Sequence, residues 1–147
     1  MNKTRGRQQL ARRFDEQRGK CCYCDGDTWL PMRESPEKAR GRLGIPNGAS
    51  GSAKMLRAAR ATREHVHRRA DGGKDGFSNI KMACMYCNSQ RWENDLDVHR
   101  IDMQVLVAAG LHPTNRPRAV DDLRKHRKRG NRAIKLLRSG RSLDEVY

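Results

Sequence analysis

A Cys-x-x-Cys pair followed directly by Asn occurs at Cys84-Met85-Tyr86-Cys87-Asn88. A Cys-x-x-Cys turn presents two thiolates to one metal ion, and 59 residues separate this pair from an earlier one, Cys21 and Cys24. Four thiolates complete the tetrahedral ligand set that structural Zn²⁺ prefers. The two pairs therefore predict a zinc site that fastens distant segments together, with Cys22 as a bystander. Buried free cysteines and a redox pair are the alternatives.

The composition is that of a basic protein with little apolar material. Of the 147 residues, 35% are hydrophobic and 33% are charged, and 32 Lys and Arg against 17 Asp and Glu give a net charge of +15. A single domain with so little core often needs a bound metal to stay folded. The charge predicts a polyanionic partner, because each neutralised phosphate releases counterions. A merely soluble basic protein is the alternative.

The chain contains no apolar stretch long enough for a membrane span or a secretion signal. We therefore expect a cytoplasmic protein without a membrane partner, in a prokaryotic or phage-encoded setting. In a reducing compartment disulfides are disfavoured, so paired cysteines indicate metal ligands.

Local patterns predict helices before the central segment. A basic helix is expected over residues 4–18, with Gly19 as its stop. Ser35 followed by Pro36 predicts a second helix start, because Ser caps a helix and Pro suits its first turn. Residues 44–52 have the composition of a loop.

The C-terminal third predicts further helices. An amphipathic helix is expected over residues 96–109. Its expected packing face consists of Val98, Ile101, Val105 and Ala108. In the tail, Pro117 opens a helix and Gly130-Asn131 breaks it, so that a second short helix and the start of a third follow.

Between the cysteine pairs the sequence predicts a hairpin that leads into a helix. The first strand is expected within residues 61–68, and the turn over residues 71–76. The second strand is expected over residues 79–83, and the helix begins within or just after the Cys84–Cys87 knuckle.

This segment resembles the HNH endonucleases. The family pattern is an acidic residue or His, a His, an apolar residue, two Gly, and an Asn that leads the second strand. It ends with Cys-x-x-Cys, then His or Asn, and a basic residue three positions later. The matching residues here are Glu64-His65-Val66, Gly72-Gly73, Asn79-Ile80, Cys84, Cys87, Asn88 and Arg91. The resemblance covers about residues 20–92.

The resemblance implies an α+β fold, with a small ββα-metal core stapled by a structural zinc on four cysteines and flanked by helices. It implies His65 as general base and Asn79 as the residue that braces the segment carrying this histidine. It also implies Glu64 and Asn88 as ligands of a catalytic divalent cation. Because both ligands offer oxygen, Mg²⁺ or Mn²⁺ is favoured over Zn²⁺ there. Asn88 in place of the commoner His makes this an H-N-N variant.

Three further residues near the predicted site are candidates for substrate contact. His67 lies two residues after the predicted base, Arg68 stands where the family often has Pro, and Arg91 closes the pattern. For His67 and Arg91 the alternative is a solvated surface residue, and for Arg68 it is an effect on the geometry of the strand. The basic runs in the first helix and over residues 124–132 are candidates for phosphate contacts.

The expected organisation has four parts. A basic N-terminal helix spans residues 1–19, the nuclease core 20–92 with 25–60 as an insertion, a packing helix 93–112, and a basic helical extension 113–147. The expected function is a metal-dependent endonuclease that hydrolyses phosphodiester bonds of DNA, most simply double-stranded. The alternatives are a non-catalytic zinc-ribbon module that binds nucleic acid, and an RNA-directed nuclease or ribosome-associated factor.

Overall fold

The computed structural model describes residues 2–48, 50–117 and 122–146. Helices surround one two-stranded sheet in this part of the chain. The elements in chain order are α1 (Lys3–Glu16), α2 (Pro36–Leu43), α3 (Ser52–Ala58), β1 (Ala61–His65), β2 (Ile80–Cys84), α4 (Met85–Arg91), α5 (Leu96–Ala108) and α6 (Leu123–Arg138). Short 3₁₀ turns lie at Arg69–Asp71, Phe77–Asn79 and Leu143–Val146.

The sheet is an antiparallel hairpin that runs directly into α4. Its register pairs Ala61 with Cys84 at one end and His65 with Ile80 at the other. Cys84 is both the last residue of β2 and the N-cap of α4, and its Sγ accepts a hydrogen bond from the main-chain N of Cys87. The predicted order of strand, turn, strand and helix is confirmed, and so is the α+β fold class.

Helix α1 covers one face of the hairpin. Its Leu10, Ala11 and Phe14 pack against a small cluster that includes Ala61 and Met82 of the two strands. Arg13 donates a hydrogen bond at 2.7 Å to the main-chain oxygen of Ile80, and Gln17 pairs with the main chain of Met82. The helix ends shortly before Gly19, which adopts φ +70° as its predicted role requires.

Helices α2 and α3 lie within the segment expected to be an insertion. Ser35 caps α2 as predicted and accepts a hydrogen bond from the main-chain N of Lys38. The two helices build a second apolar cluster around Trp29, Met55 and Leu56, which Leu123 of α6 completes. This segment therefore connects the hairpin to the C-terminal helix.

The packing face predicted for α5 is wrong. Val98, Ile101 and Val105 are exposed, with Ile101 at 64%, whereas His99, Met103 and Leu106 are buried. Both sets have helical spacing, so periodicity alone does not separate them. The face that includes His99 is the buried one, because this histidine contacts the main-chain oxygen of Cys87. Met103 and Leu106, on the same face, pack in the core around the cysteines.

The break predicted at Gly130-Asn131 is also wrong, since α6 continues through it to Arg138. A Cβ at Gly130 would lie 2.6 Å from the main-chain oxygen of Leu111 and 2.7 Å from the ring of Pro113. This glycine therefore lets α6 pack closely against the loop that follows α5. Over its described residues, 113–117 and 122–146, the tail has one long helix and a 3₁₀ turn in place of the predicted two helices and the start of a third. The residues that directly follow Pro117, the predicted helix start, lie outside the described part of the chain.

None of the described helices has the length and apolar character needed to cross a bilayer.

Candidate active site and metal centre

Four cysteine side chains meet at one end of the hairpin. The Sγ atoms of Cys21, Cys24, Cys84 and Cys87 all lie within 4.8 Å of one another, and all four residues are buried. Tetrahedral Zn²⁺ with bonds of about 2.3 Å needs sulfur atoms roughly 3.8 Å apart. The residues therefore fit a structural metal ion such as zinc.

The buried setting explains why this cluster suits a cation. Burial raises the pKa of the Cys84 and Cys87 thiols, because an uncompensated thiolate is costly in the protein interior. A bound cation offsets that cost by coordinating the thiolates. Cys22 is half-buried and outside the group, as expected for a bystander.

Three histidines that are isolated in the sequence lie next to the cysteine cluster or next to one another in the fold. His112 Nε2 lies 3.1 Å from the Sγ of Cys87, and His99 Nε2 lies 2.6 Å from the main-chain oxygen of the same residue. His126 Nε2 lies 3.1 Å from the main-chain oxygen of His112. Burial lowers the pKa of His99 to about 4, so this side chain is neutral near pH 7.

The predicted general base, His65, ends β1 and has an acidic partner. Its Nε2 lies 2.8 Å from Oδ1 of Asp75, which lies in the turn between the strands. This hydrogen bond lowers the pKa of Asp75, so the carboxylate stays ionised and accepts from the Nε2–H group. The free lone pair of the imidazole is then on Nδ1. Gln9 of α1 holds the turn by donating to the main-chain oxygen of Asp75 at 2.8 Å.

Asn79 ties together the segments on both sides of the turn. Its Oδ1 accepts a hydrogen bond from the main-chain N of His67 at 2.8 Å. Its Nδ2 donates to the main-chain oxygens of His67 and Lys74, and its own main-chain oxygen accepts from Val66. These contacts have the form of a brace on the chain that follows His65.

Glu64 lies on the buried side of β1 and is 5% exposed. The hydroxyl of Tyr23 donates to its Oε2 at 2.9 Å, and Nη1 of Arg91 lies 3.3 Å from its Oε1. Burial raises the pKa of Glu64, and the hydrogen bond from Tyr23 and the charge of Arg91 only partly oppose this. Each carboxylate oxygen has further acceptor capacity, which suits a cation ligand.

Asn88 projects from α4 onto the same strand. Its Nδ2 donates to Oγ1 of Thr62 at 3.0 Å and to the main-chain oxygen of Arg63 at 2.9 Å. Thr62 and Glu64 share one face of β1, because side chains alternate along a strand. Oδ1 of Asn88 accepts no hydrogen bond from the described residues. One carboxylate and one free amide oxygen fit a hard cation that keeps water and phosphate ligands.

The three candidates for substrate contact differ in their surroundings. His67 is exposed in the turn, because β1 ends at His65 and not at residue 68. Arg68 pairs with Asp71 at 2.8 Å and donates to the main-chain oxygen of Trp92. Arg91 is 4% exposed, and its guanidinium donates to the main-chain oxygens of His65 and Val66. Such burial favours a supporting role for Arg91 over direct substrate contact.

A hairpin that runs into a helix beside a four-cysteine cluster defines a ββα-metal core. The family model described as HNH endonuclease matches residues 52–93 of this chain. This match over residues 52–93 confirms the resemblance to the HNH endonucleases found in the sequence. The match supports a nuclease-type function in general.

Several parts of the molecule lie outside the matched segment. The first cysteine pair and the helices α1, α5 and α6 are among them, although α3 falls within it. No curated protein and no solved structure matches the chain. The roles of individual residues therefore rest on their geometry in this structure.

Proposed function

We propose that the protein is a metal-dependent endonuclease that hydrolyses phosphodiester bonds of DNA. His65 acts as the general base, and Mg²⁺ or Mn²⁺ serves as the catalytic cation. The observation that carries this proposal is the contact between His65 and Asp75 at the turn end of the hairpin, where Glu64 directly precedes His65 in β1 and Asn88 donates to the main-chain oxygen of Arg63.

To act as a general base, His65 needs one imidazole nitrogen with a free lone pair and a ring that is held in a fixed orientation. Asp75 accepts a hydrogen bond from Nε2 of His65, which leaves Nδ1 to take a proton from a water molecule. Asn79 holds the chain after His65 through hydrogen bonds to His67, so the ring has little freedom to leave this position.

Glu64 and Asn88 would hold the cation through a carboxylate oxygen and the free amide oxygen. When bound there, a divalent cation stabilises negative charge on the phosphate and on the leaving oxygen. Tyr23 and Arg91 each contact one oxygen of the Glu64 carboxylate and hold it in place, so the carboxylate need not reorganise to bind the cation.

DNA is the proposed substrate because the net charge of +15 suits a polyanion, and a duplex presents phosphates at high density. A non-catalytic zinc-ribbon module would need the cysteine cluster but not the contact between His65 and Asp75. An RNA-directed nuclease would use the same site, so the substrate has to be tested separately.

A plasmid-nicking assay tests the proposal. Wild type should nick supercoiled plasmid with Mg²⁺ or Mn²⁺ and not in chelator. His65→Ala should lose about 10²- to 10⁴-fold in rate, the usual contribution of a general base. His67→Ala is the matched control and should lose less than about tenfold, because this histidine is exposed and two residues away.

Three results would contradict the proposal in different ways. Intact plasmid with every metal would remove the enzyme function. Equal nicking by wild type and His65→Ala would remove His65 as the base. Faster cleavage of a structured RNA than of the plasmid would replace DNA by RNA as the substrate.

A further inference from the structure

A cleft that is distinct from the proposed active site lies between α3, α4 and α6. It has a volume of about 320 Å³. Its apolar lining includes Ala58, Met85 and Tyr86. Gln90 also lines the cleft, and both it and Tyr86 lie on the side of α4 opposite Asn88, which contacts β1, because each is two positions from it in the helix. The cleft is therefore separated from the proposed active site by the thickness of one helix, about 10 Å.

Polar atoms without partners gather along this cleft. Of the buried side-chain nitrogen and oxygen atoms in the described residues, five have no hydrogen-bond partner, and four of these belong to residues that line the cleft or its extension. The four are Ser52 Oγ, Tyr86 OH, Arg127 Nε and Asn131 Oδ1. Tyr86 is only 6% exposed and Ser52 only 4%. Buried polar groups are normally paired, so these atoms indicate a place where a polar ligand is received.

The charge around the cleft is of one sign. Lys54, Arg57 and Arg127 line it, and a neighbouring cleft of about 590 Å³ shares Lys54 and Arg127 and adds Arg124 and Lys128. Among the described residues, no acidic side chain lines either cleft, and none of these five cations forms a salt bridge. Three of the four unpaired atoms, Ser52 Oγ, Tyr86 OH and Arg127 Nε, can donate a hydrogen bond, whereas Asn131 Oδ1 can only accept one. Donors beside cations that form no salt bridge favour an anionic ligand.

We propose that this cleft is a second nucleic-acid contact, which binds backbone phosphates of the strand that enters the active site. Lys54 and Arg127 neutralise the phosphates, and the hydroxyl of Tyr86 donates a further hydrogen bond. The inference rests on the proposed function only in taking the substrate to be a nucleic acid. A strand cut beside Asn88 can reach the cleft because Asn88 and the lining residue Tyr86 lie on the same short helix, which is about 10 Å wide.

The test is duplex binding in chelator, so that no cleavage occurs. The affinity of a short fluorescent DNA duplex is measured by anisotropy over a range of salt concentrations. Lys54→Gln with Arg127→Gln should weaken binding about tenfold or more and reduce the log–log salt slope by roughly 1 to 2. The matched control is Lys38→Gln with Lys135→Gln, which removes the same charge from exposed positions of α2 and α6 outside both clefts. It should change the affinity less than about threefold.

A second variant separates ligand binding from folding. Tyr86→Phe keeps the net charge and removes a hydroxyl that lacks a partner in the protein. We expect weaker duplex binding, by about three- to tenfold, with an unchanged salt slope and a melting temperature that is equal or higher. A lower melting temperature with unchanged affinity would instead show that the hydroxyl serves folding, and would overturn the inference.

Two other outcomes would overturn the inference. Equal effects of the cleft variant and the control would show that only net charge matters. Release of the duplex by inorganic phosphate or a free nucleotide at equivalent phosphate concentration would assign the cleft to a small ligand. A protein that shows the expected binding changes but never nicks plasmid would contradict the proposed nuclease alone. A nicking protein whose cleft variant binds like the control would contradict this inference alone.

Discussion

The two ends of the hairpin are built in opposite ways. At the end where Ala61 pairs with Cys84, four buried sulfur atoms converge and three histidines back them. At the other end, where His65 pairs with Ile80, the functional groups lie in or beside a turn held by side-chain hydrogen bonds to the main chain. The first end positions the core, and the second carries groups that can exchange protons.

The two ends are nevertheless connected. Tyr23 lies within the first cysteine knuckle, is fully buried, and donates to Glu64 at 2.9 Å. Arg91 of α4 contacts Glu64 and also the main-chain oxygen of His65. Substitutions at the cysteine end should therefore also disturb Glu64 and His65 near the turn. Substitutions in the turn should leave the cysteine cluster and its metal binding unchanged. The predictions below test this asymmetry.

The largest effect is expected from Cys84→Ser. The change removes one zinc ligand and should cost more than about 4 kcal/mol, because metal binding and folding are coupled. Circular dichroism melts and zinc analysis measure both losses. Cys22→Ser is the matched control and should retain zinc and fold. A folded wild type without zinc would contradict the metal centre.

The next effect is expected from Asp75→Asn. An amide can no longer accept from Nε2–H of His65 with a full negative charge, so the nicking rate should fall about 10- to 10²-fold with little change in KM. Asp71→Asn removes a carboxylate from the same turn, one that pairs with Arg68 instead, and should nick like wild type. An equal loss in both variants would assign the effect to the turn as a whole.

His99 should make the cysteine end sensitive to acid. Its folded pKa of about 4 lies below the unfolded value near 6.5, so the unfolded chain binds a proton first. The free energy of unfolding therefore has its full value, as far as His99 is concerned, above about pH 6.5. It decreases as the pH falls toward 4. The loss should be about 2 kcal/mol in urea unfolding with excess zinc. His99→Gln should show a smaller decline over the same range, and parallel curves would refute the assignment.

The smallest effect is expected from Tyr23→Phe, which tests the connection between the two ends. Loss of the hydroxyl leaves a buried carboxylate oxygen with one partner fewer, at a cost of about 1 kcal/mol or more. The Mg²⁺ concentration for half-maximal nicking should rise severalfold because Glu64 is less well held. Thr28→Val is the control, since it removes a buried hydroxyl that donates to the main-chain oxygen of Gly19 and not to Glu64. An unchanged Mg²⁺ dependence would separate the two ends.

The sequence predicts the features that short spacing dictates. The cysteine pairs each occupy one turn, and the gaps from His65 to Asn79 to Asn88 follow from a hairpin that feeds a helix. The sequence does not reveal that Tyr23 contacts Glu64, because 41 residues separate them. Asp75 is likewise one of two acidic residues in a polar turn, and only the fold determines which one meets His65.

The wrong predictions for α5 and α6 have the same physical origin. Two stripes of α5 have equal periodicity, and the buried one is chosen by a contact with Cys87 on another helix. Gly130 carries the local signal of a helix break, but it permits the close approach of Leu111 and Pro113. Tertiary contacts decide both cases, and local patterns do not contain them.

We propose that the chain holds two metal ions of different chemistry, a zinc ion on four thiolates and Mg²⁺ or Mn²⁺ on oxygen ligands. The most direct measurement is zinc content and nicking on one sample after gel filtration into metal-free buffer. We expect about one zinc per chain and no nicking, with activity restored by Mg²⁺ alone and the zinc content unchanged. Nicking that needs added zinc, or zinc that leaves together with the activity, would contradict the account.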